Sequence, residues 1–133
     1  MLKSSFMRIK VTSVMVDDQT KAREVHVDKL GFVIKYDEPM GEFNWLTVTS
    51  PDGPNDVELL LEPTNFPPAK VFQNELKKAG IPAASFNVDD VNVEVDRLRS
   101  IGFEILSEPA KMGSATVASF DDTCGNIIHI YEI

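Results

Sequence analysis

The feature of the sequence that most constrains the fold is an internal repeat. Val16-Asp17-Asp18 recurs as Val88-Asp89-Asp90, and Leu30-Gly31-Phe32 has a counterpart in Ile101-Gly102-Phe103. In each half the aspartate pair is suited to cap a helix, and the glycine stands where that helix would stop. The period is roughly 70 residues, longer than the 20–50 residues or so that are typical of solenoids. The repeat therefore predicts two similar modules.

Each half predicts the same order of elements: a strand, a helix and three further strands. Alternating apolar residues predict the strands of the first half at 9–16, 32–37, 43–50 and 57–62, with a helix at 19–30. The second half predicts strands at 83–88, 103–106, 116–120 and 127–131. Its helix carries one apolar stripe, formed by Val91, Val95, Leu98 and Ile101.

A connector with helical spacing of Ala69, Phe72, Leu76 and Ala79 lies between the two halves. We therefore expect an α+β fold of two tandem βαβββ modules. The predicted single domain spans residues 7–133, with modules at 7–63 and 80–133 and a helical connector at 64–79. Residues 1–6 are predicted to be an N-terminal extension outside the fold.

Composition excludes several classes of function. The net charge of −8 repels phosphate backbones, so nucleic acid is not an expected partner. No apolar run approaches the ~18 residues that span a bilayer, so we expect a soluble protein without a membrane partner. The single cysteine, Cys124, cannot form an internal disulfide, which favours a cytoplasmic location.

These motifs, together with Phe120-Asp121-Asp122 leading into Gly125-Asn126, resemble the vicinal oxygen chelate superfamily. That superfamily groups glyoxalase I, extradiol dioxygenases, fosfomycin-resistance enzymes and bleomycin-binding proteins, and the resemblance covers the chain from Met7 onwards. It implies a fold in which the mixed sheets of the two βαβββ modules curl around a shared cavity, and it implies a homodimer. It does not select one chemistry, because the fold supports many.

The resemblance also implies where a metal would bind. In metal-dependent members, each module supplies one ligand from its first strand and one from its last. The first-strand positions fall on Val11 and Ala83, which cannot ligate a metal, and the last-strand positions fall on Glu58 and His129. Catalytic zinc sites generally use three protein ligands. We therefore expect no complete metal site and no cofactor; a weakly held divalent ion would need serine hydroxyls or water to complete its shell.

Period-two alternation independently groups the candidate residues on one face. It places Glu58 and His129 opposite the apolar residues Val57, Leu59, Ile128 and Ile130. Glu58 and His129 are the candidate catalytic pair. The same parity predicts that seven further residues line a ligand-binding cavity: Ser13, Met15, Trp45, Thr47, Ser85, Asn87 and Tyr131.

Two functions from different classes follow from this reading. The first is a binding module without a complete metal site that holds a small molecule between its curved sheets. The second is a glyoxalase-like lyase, an isomerase or a dioxygenase, in which Glu58 and His129 act around a weakly bound ion or as an acid/base pair. The missing ligands at Val11 and Ala83 favour the first, whereas the retained Glu58 and His129 favour the second.

Overall fold

Two four-stranded mixed sheets form the framework of the protein, whose structure, a computed structural model, describes residues 6–133. The first module comprises β1 (Val11–Val16), helix α1 (Gln19–Arg23) with a π-helical continuation (Glu24–Lys29), β2 (Val33–Met40), β3 (Phe43–Thr49) and β4 (Glu58–Pro63). Helix α2 (Pro67–Lys78) connects it to β5 (Ala84–Asn87), helix α3 (Val91–Ser100), β6 (Ile105–Met112), β7 (Ala115–Asp121) and β8 (Ile127–Glu132).

The two sheets have the same topology. The strand orders are β1-β4-β3-β2 and β5-β8-β7-β6, and the first strand of each module runs parallel to the last. The predicted pair of βαβββ modules is thereby confirmed. Of the predicted extension at 1–6, residues 1–5 lie outside the described part of the chain, and Phe6 is exposed.

The aspartate pairs begin the module helices, as the sequence predicted. The Asp18 carboxylate accepts hydrogen bonds from the backbone N–H groups of Thr20 (2.9 Å) and Lys21 (3.2 Å), and that of Asp90 accepts one from Val93 (3.1 Å). None of the helices in residues 6–133 is long and apolar enough to cross a membrane.

The first helix departs from the regular helix that was predicted at 19–30. Its second half is π-helical, and the Leu30 N–H donates to the Val25 carbonyl five residues back (2.9 Å). This wider turn buries the neighbouring residues Val25 and His26 together. The spacing of apolar residues in the sequence did not indicate this π-helical segment, because it alters the helical period over only six residues.

The outer strands β2 and β6 are longer than predicted. Strand ends were predicted at 37 and 106, but β2 continues through Pro39 and β6 through Pro109. Both strands lie at sheet edges, where a proline removes no hydrogen bond from a central ladder. Pro39, which suggested a turn between the two strands, therefore lies within an edge strand.

One buried core joins the modules. It contains the helix-facing residues of both sheets, together with side chains of the module helices: Val14, Val16, Ala22, Val25, Leu46, Val48, Leu61, Val91, Val95, Leu98, Phe103, Ala118, Phe120, Cys124, Ile128 and Ile130. Three members of the predicted α3 stripe are buried, but Ile101 is exposed, because α3 ends before it and Ile101 serves as the C-cap. Since the helix-facing sides share this core, the other side of each sheet, here called its open face, lies outside it.

Helix α2 docks through a polar residue instead of the predicted apolar stripe. Phe72 is exposed, whereas Gln73 is buried. The Gln73 amide donates to the carbonyl oxygens of Met15 (3.1 Å) and Cys124 (3.0 Å), which belong to different modules. The Asn126 amide also donates to Met15 (2.7 Å). These bonds satisfy backbone carbonyls that the junction of the modules removes from water.

Candidate ligand-binding faces

The open face of the first sheet carries five of the nine candidate site residues. In the parallel ladder, Val11 lies beside Glu58, Ser13 beside Leu60 and Met15 beside Glu62, so these six residues point to the same side. Thr47 lies beside Leu60, on the same face. Trp45, two residues away on β3, shares that face and is partly exposed, while its neighbour Leu46 is in the core.

Glu58 is the buried charge on this face. The residue is only 4 % exposed, and its Oε1 accepts a hydrogen bond from the hydroxyl of Thr47 at 2.8 Å. Thr47 itself is fully buried. Within residues 6–133, Thr47 is the only hydrogen-bond donor to the Glu58 side chain, and no Lys, Arg or His forms an ion pair with it.

The open face of the second sheet carries the other four candidates. Ser85 lies beside His129, and Asn87 lies beside Tyr131. The Asn87 side-chain amide donates to the Tyr131 carbonyl at 3.2 Å. His129 and Tyr131 are half-buried, whereas Ser85 and Asn87, on the edge strand β5, are exposed. This face therefore presents a titratable ring and several hydrogen-bonding groups.

Strand register shows that Glu58 and His129 do not occupy equivalent positions, although the family pattern matched them. When the helix caps Asp18 and Asp90 are superposed in sequence, Ser13 corresponds to Ser85, and their neighbours are Leu60 and His129. The antiparallel ladders give the same result, since Thr47 lies beside Leu60 and Ser119 beside His129. The counterpart of His129 is Leu60, and that of Glu58 is Ile127.

The length of one loop explains this offset. Eight residues, 50–57, separate β3 from β4, whereas five, 122–126, separate β7 from β8. Equivalent residues of the two modules are therefore 72 positions apart up to the third strand but only 69 positions apart in the last strand. The register of the strands shows this difference, which motif spacing alone concealed.

The structure adds residues that alternation missed. A register shift between Ile34 and Tyr36 places Tyr36 beside Thr47, on the open face of the first sheet. On the second sheet, Ser107 and Ser119 lie side by side with their hydroxyl oxygens 2.7 Å apart. Irregularities in β2 and β6 change the side-chain parity at Tyr36 and Ser107, whereas Ser119 lies on the regular strand β7. No sequence signal marked these register shifts.

Within one chain, the nine candidates lie on two separate open faces, and neither of two clefts of the chain brings the two faces together. A cleft of about 750 Å³ runs along β5 and contains Ser85 and Asn87 but neither Glu58 nor His129. A second cleft, of about 490 Å³ and lined by residues such as Arg23 and Asn44, contains none of the nine. The predicted shared cavity is therefore not one of these two clefts of the single chain.

These residues do not fit the divalent metal that the resemblance implied. Val11 and Ala83 supply no ligand atom, and the Oε1 of Glu58 already accepts the Thr47 hydrogen bond. Among residues 6–133, no group of three or more His, Cys, Asp or Glu side chains is arranged to hold a metal ion. The offset register also separates Glu58 from the position equivalent to His129.

A second set of ionisable groups lies in the core. Burial lowers the pKa of His26, raises that of Asp122 and raises the pKa of the Cys124 thiol to about 12. The His26 Nδ1 lies 2.8 Å from the Ala22 carbonyl oxygen, and its Nε2 is buried without a hydrogen-bond partner among residues 6–133. A thiol with such a pKa is unsuited to be a nucleophile. His26 and Cys124 pack in the buried interior, and Asp122 accepts hydrogen bonds within the turn before β8.

Known proteins share both the sequence pattern and the fold. The sequence model of the Glyoxalase/Bleomycin resistance protein/Dioxygenase superfamily matches residues 8–130. The uncharacterized protein YurT of Bacillus subtilis (strain 168) is 48% identical over 126 residues, which cover 95% of this chain and 99% of that relative. The crystal structure of UcmS2 is 30% identical with a TM-score of 0.81, covering 95% of this chain and 98% of that one. TnmS3, an antibiotic binding protein from Streptomyces sp. CB03234, is 25% identical with a TM-score of 0.75, covering 98% of both chains.

Proposed function

The chain belongs to the Glyoxalase/Bleomycin resistance protein/Dioxygenase superfamily, and we propose that it binds a small organic molecule on its open faces without a complete metal site. The observation that carries this proposal is the composition of the four positions at which metal-dependent members hold their ion. They are occupied by Val11, Glu58, Ala83 and His129, and the strand register offsets the two polar ones from each other.

The residues around these positions support binding. Trp45 and Tyr36 offer aromatic surface on the first open face, and His129 and Ser119 offer hydrogen-bonding groups on the second. Aromatic area combined with a few polar groups is the usual composition of a small-molecule site. The similarity to TnmS3, named as an antibiotic binding protein, supports an organic ligand of that kind.

A homodimer is part of the proposal. Each open face of the single chain is accessible, with Tyr36 45 % and Trp45 36 % exposed. A second copy that laid its second-sheet face against the first-sheet face would enclose two equivalent cavities, because a two-fold axis uses each face once. The proposed location is the cytoplasm, where the lone Cys124 would stay reduced.

Ligand binding by metal-free protein tests this proposal. Purified protein is analysed for metal content, treated with a chelator, and screened for thermal stabilisation against a library of aromatic natural products. We expect stabilisation that the chelator leaves unchanged. Trp45→Ala should weaken binding at least tenfold, while Val93→Ala, an exposed change on α3, should not. Stoichiometric metal that is required for binding would contradict the proposal.

An enzyme remains the alternative, and the burial of Glu58 favours it. A largely buried residue whose carboxylate accepts from one hydroxyl donor is suited to act as a general base. If the protein is an isomerase or lyase of this family, Glu58→Gln would abolish turnover but retain ligand affinity. A binding protein would show no turnover with any ligand that it binds.

A further inference from the structure

The unpaired carboxylate of Glu58 suggests what kind of molecule the first open face binds. We propose that Glu58 is the anchor for a positively charged group, an ammonium or amidinium, on an aromatic ligand. This inference rests on the proposed function, because it assigns the ligand class of the same face. It differs from a metal site in needing only one carboxylate and the surrounding aromatic side chains.

Burial without a cation is the first observation. Buried carboxylates in proteins are normally paired with a cation, or bind a metal ion, because desolvation of a lone charge is costly. Glu58 is 4 % exposed and has one neutral donor, the Thr47 hydroxyl, although a carboxylate can accept about four hydrogen bonds. Among residues 6–133, no cationic side chain forms the ion pair that would offset the desolvation of the Glu58 carboxylate.

Nearby lysines do not fill this role. Lys35 on β2 donates to the Asn55 carbonyl oxygen at 3.3 Å. Lys10 contacts Glu58 through its backbone, as its carbonyl oxygen accepts from the Glu58 N–H at 2.7 Å, and its side chain precedes Val11, which lies on the open face. Alternation directs the Lys10 side chain to the opposite side. Since no Lys, Arg or His among residues 6–133 forms an ion pair with Glu58, the proposed cation comes from another molecule.

The aromatic residues on the same face suit a cation as well as a ring. Trp45 and Tyr36 flank the strand position of Thr47, whose hydroxyl binds Glu58, and both rings are partly exposed. An ammonium group near such rings gains a cation–π interaction in addition to its ion pair. The net charge of −8 would also attract a cationic ligand from solution.

Three matched probes test the inference: 2-naphthylmethylamine, which is a cation at neutral pH, 2-naphthalenemethanol, its neutral counterpart, and 2-naphthoate, an anion. Binding is followed by the indole N–H signal of Trp45 in a ¹⁵N–¹H spectrum, since the chain has one tryptophan. We expect the amine to bind at least tenfold more tightly than the alcohol, and the naphthoate to bind most weakly.

Two variants locate this preference. Glu58→Gln keeps the size and the Thr47 contact, and should reduce the preference for the amine to within about twofold. Glu62→Gln removes the same charge from the same face of β4, in the partly exposed position beside Met15, and should keep it. Equal affinities for amine and alcohol in the wild-type protein, or a preference that survives in Glu58→Gln, would overturn the inference.

The outcome also separates this inference from the proposed function. If the alcohol shifts the Trp45 signal as strongly as the amine, the face binds small molecules but Glu58 is no cation anchor. A basic side chain from a second copy that already paired with Glu58 would give this result. If none of the probes shifts the signal at 10 mM or so, both the binding face and the ligand class are wrong.

Discussion

The two modules are alike on the side that faces the core and different on the side that faces outward. With Asp18 and Asp90 taken as equivalent, the core pairs Leu46/Ala118, Val48/Phe120 and Leu61/Ile130 are apolar in both modules. The open-face pairs Trp45/Val117, Glu58/Ile127 and Leu60/His129 differ in size, charge or polarity. Packing restricts one side of each sheet to apolar residues, whereas the open side is free to carry chemistry.

The modules also differ at their helices and turns. The first helix contains a π-turn and its module has an eight-residue loop before β4, while α3 is regular and the turn before β8 is short. That short turn is held by Asp122, which accepts hydrogen bonds from the Cys124 and Asn126 N–H groups at 2.8 and 2.9 Å. This hydrogen-bonded turn packs directly against Gln73 of the connector, whose amide donates to the Cys124 carbonyl oxygen.

Gly125→Ala should have the largest effect on stability, because the added methyl group would collide with the Gln73 side chain. Gly125 has φ +100°, and a Cβ there would lie 2.6 Å from the Nε2 of Gln73, whose amide is fixed by its own hydrogen bonds. Backbone strain and overpacking together should cost about 3 kcal/mol of unfolding free energy. Urea denaturation measures this loss.

Matched controls come from the hairpin turns of the two modules. Gly41 (φ +65°) and Gly113 (φ +63°) are equivalent positions, and a Cβ at either would meet no atom within 4 Å. Gly41→Ala and Gly113→Ala should each cost about 1 kcal/mol, from strain alone. A Gly125→Ala variant no less stable than these two would show that Gln73 moves aside freely.

His26 should make stability depend on pH through the first module. Its pKa is lowered by burial, so below about pH 6.5 the unfolded chain takes up a proton that the folded protein resists. The contribution of His26 to the free energy of unfolding should be fully present above that pH. It should fall on acidification, by at most about 1.4 kcal/mol per pH unit. The raised pKa of Asp122 acts in the opposite direction, because its protonation favours the folded state.

Chemical denaturation at pH 7, 6 and 5 measures this dependence. His26→Phe should flatten the decrease, and His129→Gln, which removes the other histidine of the chain, should retain it. An unchanged decrease in His26→Phe would assign the pH dependence to other groups.

Glu58→Gln should produce the smallest effect, and in the opposite direction from the others. Without a cation nearby, the neutral amide avoids the desolvation of a buried charge and keeps a similar shape. We expect the unliganded variant to be more stable by about 1 kcal/mol. Thermal unfolding with and without the naphthylmethylamine probe compares the two proteins, and a destabilised variant would mean that the carboxylate is already compensated in the free protein.

Part of the site could be predicted from alternation alone. Parity correctly placed Leu59, Ile128 and Ile130 on the core side and Trp45 on an open face, whereas Val57, which precedes β4, is exposed. Register could not be predicted, because it depends on a loop-length difference and on bulges that one sequence does not mark. Tyr36 was missed for this reason, and His129 was matched to Glu58 instead of Leu60.

The shared core determines how this duplicated chain must fold. Each half contributes an apolar layer packed under its own helix, the two layers join in one core, and Gln73 bonds carbonyls of both halves. A chain cut at the connector would leave two fragments with exposed apolar layers, prone to aggregate or to recombine with each other. Although the sequence contains two repeats, we expect unfolding to be a single cooperative transition, with neither module folded while the other is unfolded.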